Sequence, residues 1–139
     1  MKSVIFLFAG VILIFIISCS DPLTTETING EYNYTGFDSI GVKISQGTLT
    51  INISDSTKIT GDWAILPIGN DIERGPQIGD GRLEGTIKND SIFINLNPNV
   101  IDNNIQLIGL FVNGKISGKW TWSTFAGIAN RGFFSAEKR

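Results

Sequence analysis

The chain contains no histidine, and Cys19 is its single cysteine among 139 residues. Without histidine there is no Ser-His-Asp or Cys-His nucleophile system and no imidazole-ligated zinc; with one thiol there is no all-cysteine alternative and no internal disulfide. Basic residues are also scarce, 11 against 13 acids for a net charge of −2, so no basic stripe is available for nucleic acid. Carboxylates, hydroxyls, Lys and Arg are what remains for chemistry. The expectation is a protein that is not an enzyme and carries no cofactor and no metal. Helical periodicity is absent as well: no amphipathic 3.6-residue pattern of any length occurs beyond Ile28.

What is present begins with the leader. Met1-Lys2 is a short basic start, and Val4 to Ile17 is an apolar run broken only by Ala9 and Gly10. That run has the length of a secretory h-region and is too short to span a bilayer as a helix. It ends in Ile16-Ile17-Ser18-Cys19. A small residue before the only cysteine resembles the lipobox of bacterial lipoproteins, with Ile16 standing where Leu is usual. The resemblance implies cleavage before Cys19 and a diacylglycerol thioether on its sulfur. Residues 1–18 would then be the signal peptide, 19–27 the lipidated cysteine and linker, and 28–139 the folded domain. It also implies a cell-envelope location with membrane attachment through the lipid, and Ser20 in place of Asp points to the outer rather than the inner membrane. Loss of the leader, with Lys2, leaves thirteen acids against ten bases, and Cys19 is consumed by the lipid. Such a domain depends on burial and on its hydrogen-bond ladder. The polar linker Ser20 to Thr27 reaches roughly 26 Å when extended, which keeps the domain near the membrane.

From Ile28 onward one pattern recurs: an aliphatic residue, any residue, Gly, any residue, a large apolar residue. It occurs as Ile28-Asn29-Gly30-Glu31-Tyr32, Ile59-Thr60-Gly61-Asp62-Trp63 and Leu83-Glu84-Gly85-Thr86-Ile87, then as Leu107-Ile108-Gly109-Leu110-Phe111 and Ile116-Ser117-Gly118-Lys119-Trp120. The period of two is a strand signature. Asn113-Gly114 is a strong type I′ hairpin signal because both residues tolerate positive φ, and Asn89-Asp90 is a weaker version. A two-residue loop at Asn113-Gly114 pairs Phe111 with Ile116, Gly109 with Gly118 and Leu107 with Trp120. One at Asn89-Asp90 pairs Ile87 with Ile92, Gly85 with Ile94 and Leu83 with Leu96. A three-residue loop at Asp55-Ser56-Thr57 pairs Ile53 with Ile59, Ile51 with Gly61 and Leu49 with Trp63. Each hairpin thereby gains one apolar and one polar face.

With Gly30–Tyr34 at the front and Gly132–Ala136 at the back, the pattern gives eight sequential strands. A meander with one apolar face closes most economically into an antiparallel up-and-down barrel, which removes both edges. An open β-sandwich is the alternative. Gly30, Gly61, Gly85, Gly109, Gly118 and Gly132 fall on the inner face in mid-strand, where a closed sheet bends. The Gly-x-aromatic steps on successive strands make the region from Ile28 to Arg139 similar in architecture to the lipocalin and avidin group of small barrels. No residue of the avidin biotin site is matched, and a shared fold carries no function with it.

The connections alternate in length. The tight turns fall on one side, whereas Phe37–Gln46, Pro67–Gly81, Pro98–Asn104 and Thr124–Asn130 are expected to be long and to share the opposite end, forming a mouth. Tyr34, Trp63, Trp120 and Trp122 are the candidate walls of a site for a small apolar ligand there; otherwise the same side chains simply fill the barrel. Asp71, Glu73 and Asp80 supply oxygens of the kind calcium takes, but their spacing matches no calcium motif and Arg74 and Arg82 offset their charge, so a solvated loop is expected. One feature breaks the alternation. Ile108, Leu110 and Val112 point outward on one strand, with Phe93 on its neighbour. An apolar stripe on an exterior marks a protein partner, a homo-oligomer interface or a covering segment, and so an accessory subunit of an envelope assembly is the alternative to a ligand carrier.

Overall fold

A computed structural model describes residues 28–69 and 77–139. The described chain is all β. Eight strands, β1 (Gly30–Phe37), β2 (Lys43–Asp55), β3 (Lys58–Pro67), β4 (Gly79–Lys88), β5 (Ser91–Asn95), β6 (Asn104–Val112), β7 (Lys115–Thr124) and β8 (Gly127–Lys138), follow one another in a closed antiparallel barrel. Every strand pairs with its sequence neighbours, and β1 closes the barrel on β8 through Tyr34 opposite Ala136 and Gly36 opposite Phe134. The eight-strand meander expected from period and turns is the fold; the open sandwich is not.

The turn residues set the register. Asn113 and Gly114 both take positive φ, 52° and 76°, and Phe111–Ile116, Gly109–Gly118 and Leu107–Trp120 are opposed as the two-residue loop requires. At the weaker turn only Asn89 adopts positive φ, at 54°, yet Ile87–Ile92 and Gly85–Ile94 still face each other. The β2–β3 turn is tighter than expected. Asp55 pairs with Lys58 across Ser56-Thr57, and a bulge beside Ser54 absorbs the extra residue, so that Ile53–Ile59, Ile51–Gly61 and Leu49–Trp63 stay in place.

Inward residues form one continuous core that includes Tyr32, Leu49, Ile51, Ile59, Ile94, Leu107, Ile116 and Trp120, all without solvent exposure. Burial of each such aliphatic side chain contributes roughly 1.5–3 kcal/mol, which is how a domain without cross-links is held. Gly118 shows why small residues punctuate the inner face: a Cβ there would strike the Ile108 carbonyl oxygen and approach Gly109 Cα to 2.5 Å. At the end that holds the tight turns, buried Ile28 joins the core, its carbonyl accepting from the Tyr32 hydroxyl, while Asn29 Oδ1 accepts from the Ile53 amide at 2.7 Å. The strand order therefore brings the chain into the barrel at its pinched end.

The opposite end departs from expectation. The first connection covers only residues 38–42, because Lys43 to Gln46 already belong to β2; Asp38 Oδ1 accepts from the amides of Ile40 and Val42 and folds the loop tightly. The seventh is a tight hairpin rather than a long loop: Thr124 pairs with Gly127 across Phe125-Ala126, with Gly127 at φ 106° and a bulge between Trp122 and Ser123. Gly79 and Asp80 are strand residues, which shortens the third connection to 68–78. Gly30 begins β1 and lies at φ 143° instead of in mid-strand. The loop end thus carries one long connection, two of moderate length and one tight turn.

Candidate functional site

The loop end is where the sequence places a mouth, and its architecture is set by indole N–H groups. Trp63 Nε1 donates to the Leu96 carbonyl at 2.6 Å, Trp120 Nε1 to the Phe37 carbonyl at 2.7 Å, and Trp122 Nε1 to Asn103 Oδ1 at 3.1 Å. Phe37 is the last residue of β1 before the first connection, Leu96 begins the fifth, and Asn103 ends the fifth. All three tryptophans of the chain therefore tie a loop base to the barrel. Glycines make room for the two inner rings. Trp120 faces Gly132 and Trp63 faces Gly81 across their strand pairs, and a Cβ on Gly132 would lie 2.7 Å from the Trp120 indole nitrogen.

Beside these rings lies a polar cluster inside the barrel. The Tyr34 and Ser45 hydroxyls converge on Gln77 Oε1, at 3.1 and 3.3 Å, and all three residues are buried. Tyr34 also stacks against Phe134, with centroids 6.0 Å apart. Loss of solvent raises the pKa of the Tyr34 phenol well above its usual value, outweighing the opposite influence of the Ser45 hydroxyl; the same desolvation pushes Tyr32 up to about 12. Both phenols therefore stay protonated and can donate.

These positions decide how the proposed ligand walls are used. Tyr34, Trp63 and Trp120 are brought into one interior, but each has its polar atom engaged and almost no surface open to solvent. Trp122 is half-buried at the rim. Sequence reasoning did not single out Ser45 or Gln77. Gln77 lies in a non-periodic loop, and Ser45 stands beside the equally buried Ile44, where the pairing shift at Gly36/Phe37 breaks the alternation.

Apolar side chains crown the same end. Ile101, Ile40 and Phe125 are 87%, 84% and 81% exposed at the fifth, first and seventh connections. Their loops are pinned. Asp102 Oδ1 accepts from the amides of both Asn103 and Phe125, at 2.9 Å each, and so couples the fifth connection to the seventh. Asn104 Nδ2 donates to the Val100 carbonyl at 2.9 Å.

The outer stripe is where the alternation places it. Phe93 sits opposite Ile108 across β5–β6, and Phe93, Ile108, Leu110 and Val112 are all exposed. Asp80 is exposed on β4, whereas Asp71, Glu73 and the proposed lipidation site Cys19 lie outside the described residues. Among the described residues no three acidic or cysteine side chains gather as a metal-ligating group, and no helix is long and apolar enough to cross a membrane. Compared with known families and with curated proteins, the chain matches no family model and no relative.

Proposed function

We propose that this is a lipid-anchored, non-enzymatic binding protein of the cell envelope that engages an apolar ligand at the rim of its loop end. The observation that carries the reading is the contrast between Ile40, Ile101 and Phe125, which are almost fully exposed, and the loops beneath them, which are fastened by Asp38, Asp102 and the three indoles. Exposed apolar tips on pinned loops are pre-organised for contact, because ordering them on binding costs little further entropy. The interior supports a rim site over a deep one: Tyr34, Trp63 and Trp120 are spent on internal hydrogen bonds, and displacing them would leave buried donors unsatisfied. The leader Val4–Ile17 and the Ser18-Cys19 step support export and anchoring.

Titration with an apolar naphthylamine fluorophore tests this. Saturable binding is expected for the native chain and should be lost in the double variant Ile101→Ser, Phe125→Ser, with the melting temperature unchanged. Binding that survives in that variant but disappears in Ile108→Ser, Leu110→Ser would move the site to the outer stripe and refute the rim.

A further inference from the structure

The outer stripe has a charge pattern that the rim lacks. Strand pairing places Lys58, Thr86, Phe93, Ile108, Lys119 and Phe133 in one row across the outside of β3 to β8. The next row toward the pinched end runs Lys88, Ser91, Leu110, Ser117, and beyond it Val112 faces Lys115. Lysines thus bracket Phe93 and Ile108 in the first row and stand on one side of Leu110 and of Val112 in the other two. Phe93 is 37% exposed and Ile108, Leu110, Val112 and Phe133 are 45–55% exposed, so the stripe presents aliphatic and aromatic surface between ammonium groups.

Acids border this face: Glu137 is held by Lys115 at 2.9 Å, Asp55 faces Lys58 across the β2–β3 turn, Glu84 stands one row nearer the loops beside Asn95, and Asp90 occupies the tight turn. Among the described residues Lys58, Lys88 and Lys119 form no ion pair. From β3 to β8 the two rows that hold Phe93, Ile108 and Leu110 carry Lys58, Lys88 and Lys119 and no acid. At the loop end the apolar tips have acids beside them, Asp38 in the loop of Ile40 and Asp102 next to Ile101.

Position supplies the second argument. Residues 1–27 precede Ile28, which enters the barrel at the pinched end, and Val112, Lys88 and Lys115 flank the turns of that same end. Whether the apolar run Val4–Ile17 is retained or is replaced by a lipid on Cys19, it is this end that the chain delivers to a bilayer.

We propose that the β5–β6 stripe with its lysine fringe is a membrane-contact surface that docks the barrel on anionic lipid. Phe93, Ile108, Leu110 and Val112 enter the interface while Lys58, Lys88 and Lys119 extend their ammonium groups to phosphate oxygens, burying their methylene stems alongside. The barrel then lies tilted on this wall, and the rim of the loop end stays clear of the bilayer. The surface rests on the reading of the leader only for which end reaches the membrane.

Photo-cross-linking tests the surface. Benzoylphenylalanine is placed at Leu110, at Thr48 on the opposite wall and at Phe125 on the rim, and each full chain is reconstituted into vesicles of phosphatidylcholine, alone or mixed with phosphatidylglycerol. Lipid adducts are expected chiefly from position 110 and chiefly in the mixed vesicles, and Lys119→Gln should lower the yield about fivefold. Equal adduct yields at 110 and 48, a yield at 110 indifferent to phosphatidylglycerol, or a protein–protein adduct from 110 would each overturn the proposal, the last by showing a second copy on the stripe. Intact mass reports acylation of Cys19 separately, and fluorophore titration reports the rim. An unlipidated chain that still gives the 110 adduct removes the anchor and leaves this surface standing.

Discussion

The indole nitrogen of Trp63 lies 2.6 Å from the carbonyl oxygen of Leu96, so a ring of the aromatic core is bonded to the first residue of a loop. Trp120 is bonded likewise to Phe37, the last residue of β1 before a loop. Rings that sequence reasoning assigned to a ligand wall thereby act as fasteners. Trp63→Phe and Trp120→Phe keep most of the apolar surface but leave a carbonyl without its donor and vacate space. Each should cost about 1–3 kcal/mol. Urea unfolding of the purified chain measures this, and Trp122→Phe, whose bond to Asn103 is at the surface, should change it by less than either.

Register can be tested on neighbouring residues. A β-branched side chain at Gly118 meets the Ile108 carbonyl and the Gly109 backbone, with nothing flexible to yield. Gly118→Val should destabilise by about 1–3 kcal/mol as an overpacked site. Lys119 is exposed and faces Ile108 and Phe133 on the outside, so Lys119→Val should leave the melting temperature nearly unchanged. Equal tolerance at both positions would contradict the inner and outer faces.

The parts of the fold that were legible share one property: they are periodic. Alternation from Lys115 to Trp120, with the Asn113-Gly114 turn before it, leaves a single register that buries Ile116 and Trp120, and that register is the one observed. The loop end has no such constraint. Thr124 to Asn130 contains Gly127 and no alternation, so a bulged hairpin with Phe125 at its tip is indistinguishable in sequence from a loose loop. Gln77 is illegible for a stronger reason. Its burial follows from two hydroxyls on β1 and β2 that need an acceptor, a requirement visible only once Tyr34 and Ser45 are side by side. The outer stripe was readable as a break in the pattern, but its lysine fringe comes from three strands, β3, β4 and β7, and needs the pairing that joins them to β5 and β6.

Gln77 accordingly has a defined cost. Gln77→Leu removes the oxygen on which Tyr34 and Ser45 converge and leaves two buried hydroxyls seeking partners. A loss of about 1–3 kcal/mol is expected, as for other unsatisfied buried groups. Adding Ser45→Ala should recover part of it, since one orphaned donor disappears. A double variant less stable than Gln77→Leu alone would show that the hydroxyl is satisfied elsewhere.

Both tyrosines of the chain are buried, which makes alkaline pH a clean probe. Tyr32 is raised to about 12 from 10.0, and Tyr34 is raised further by the same desolvation. Because the folded state holds these protons more tightly than the unfolded chain, the stabilisation is complete below pH 10 and is lost as pH rises through the folded values. The loss is about 1.4 kcal/mol per pH unit for each phenol. Tyrosinate absorbance should therefore stay absent as pH passes 10 and then rise together with loss of the β-sheet circular dichroism. A normal phenol titration with the sheet intact would place a tyrosine in solvent.

The geometry of the two ends gives the final prediction. β1 runs from the pinched end toward the loop end, so the tight turns at Asn89 and Asn113 and the C-terminal Arg139 share the end at which residues 1–27 join. The proposed acylation of Cys19, with a polar linker that spans roughly 26 Å at most, would hold that end at the membrane surface. Cys19→Ser should release the protein from the detergent phase, and a mature N-terminus elsewhere would refute the anchor. In the anchored protein, a cross-linker on Asn113 should reach lipid head groups more readily than one on Asp80 or Ile101, which lie toward the loop end. Protease added to vesicles displaying the protein outward should cut first within residues 68–78, the longest connection. The reverse order of labelling would require the loop end to face the bilayer. That would bring Asp38, Asp80 and Asp102 against anionic head groups, an arrangement their charge opposes.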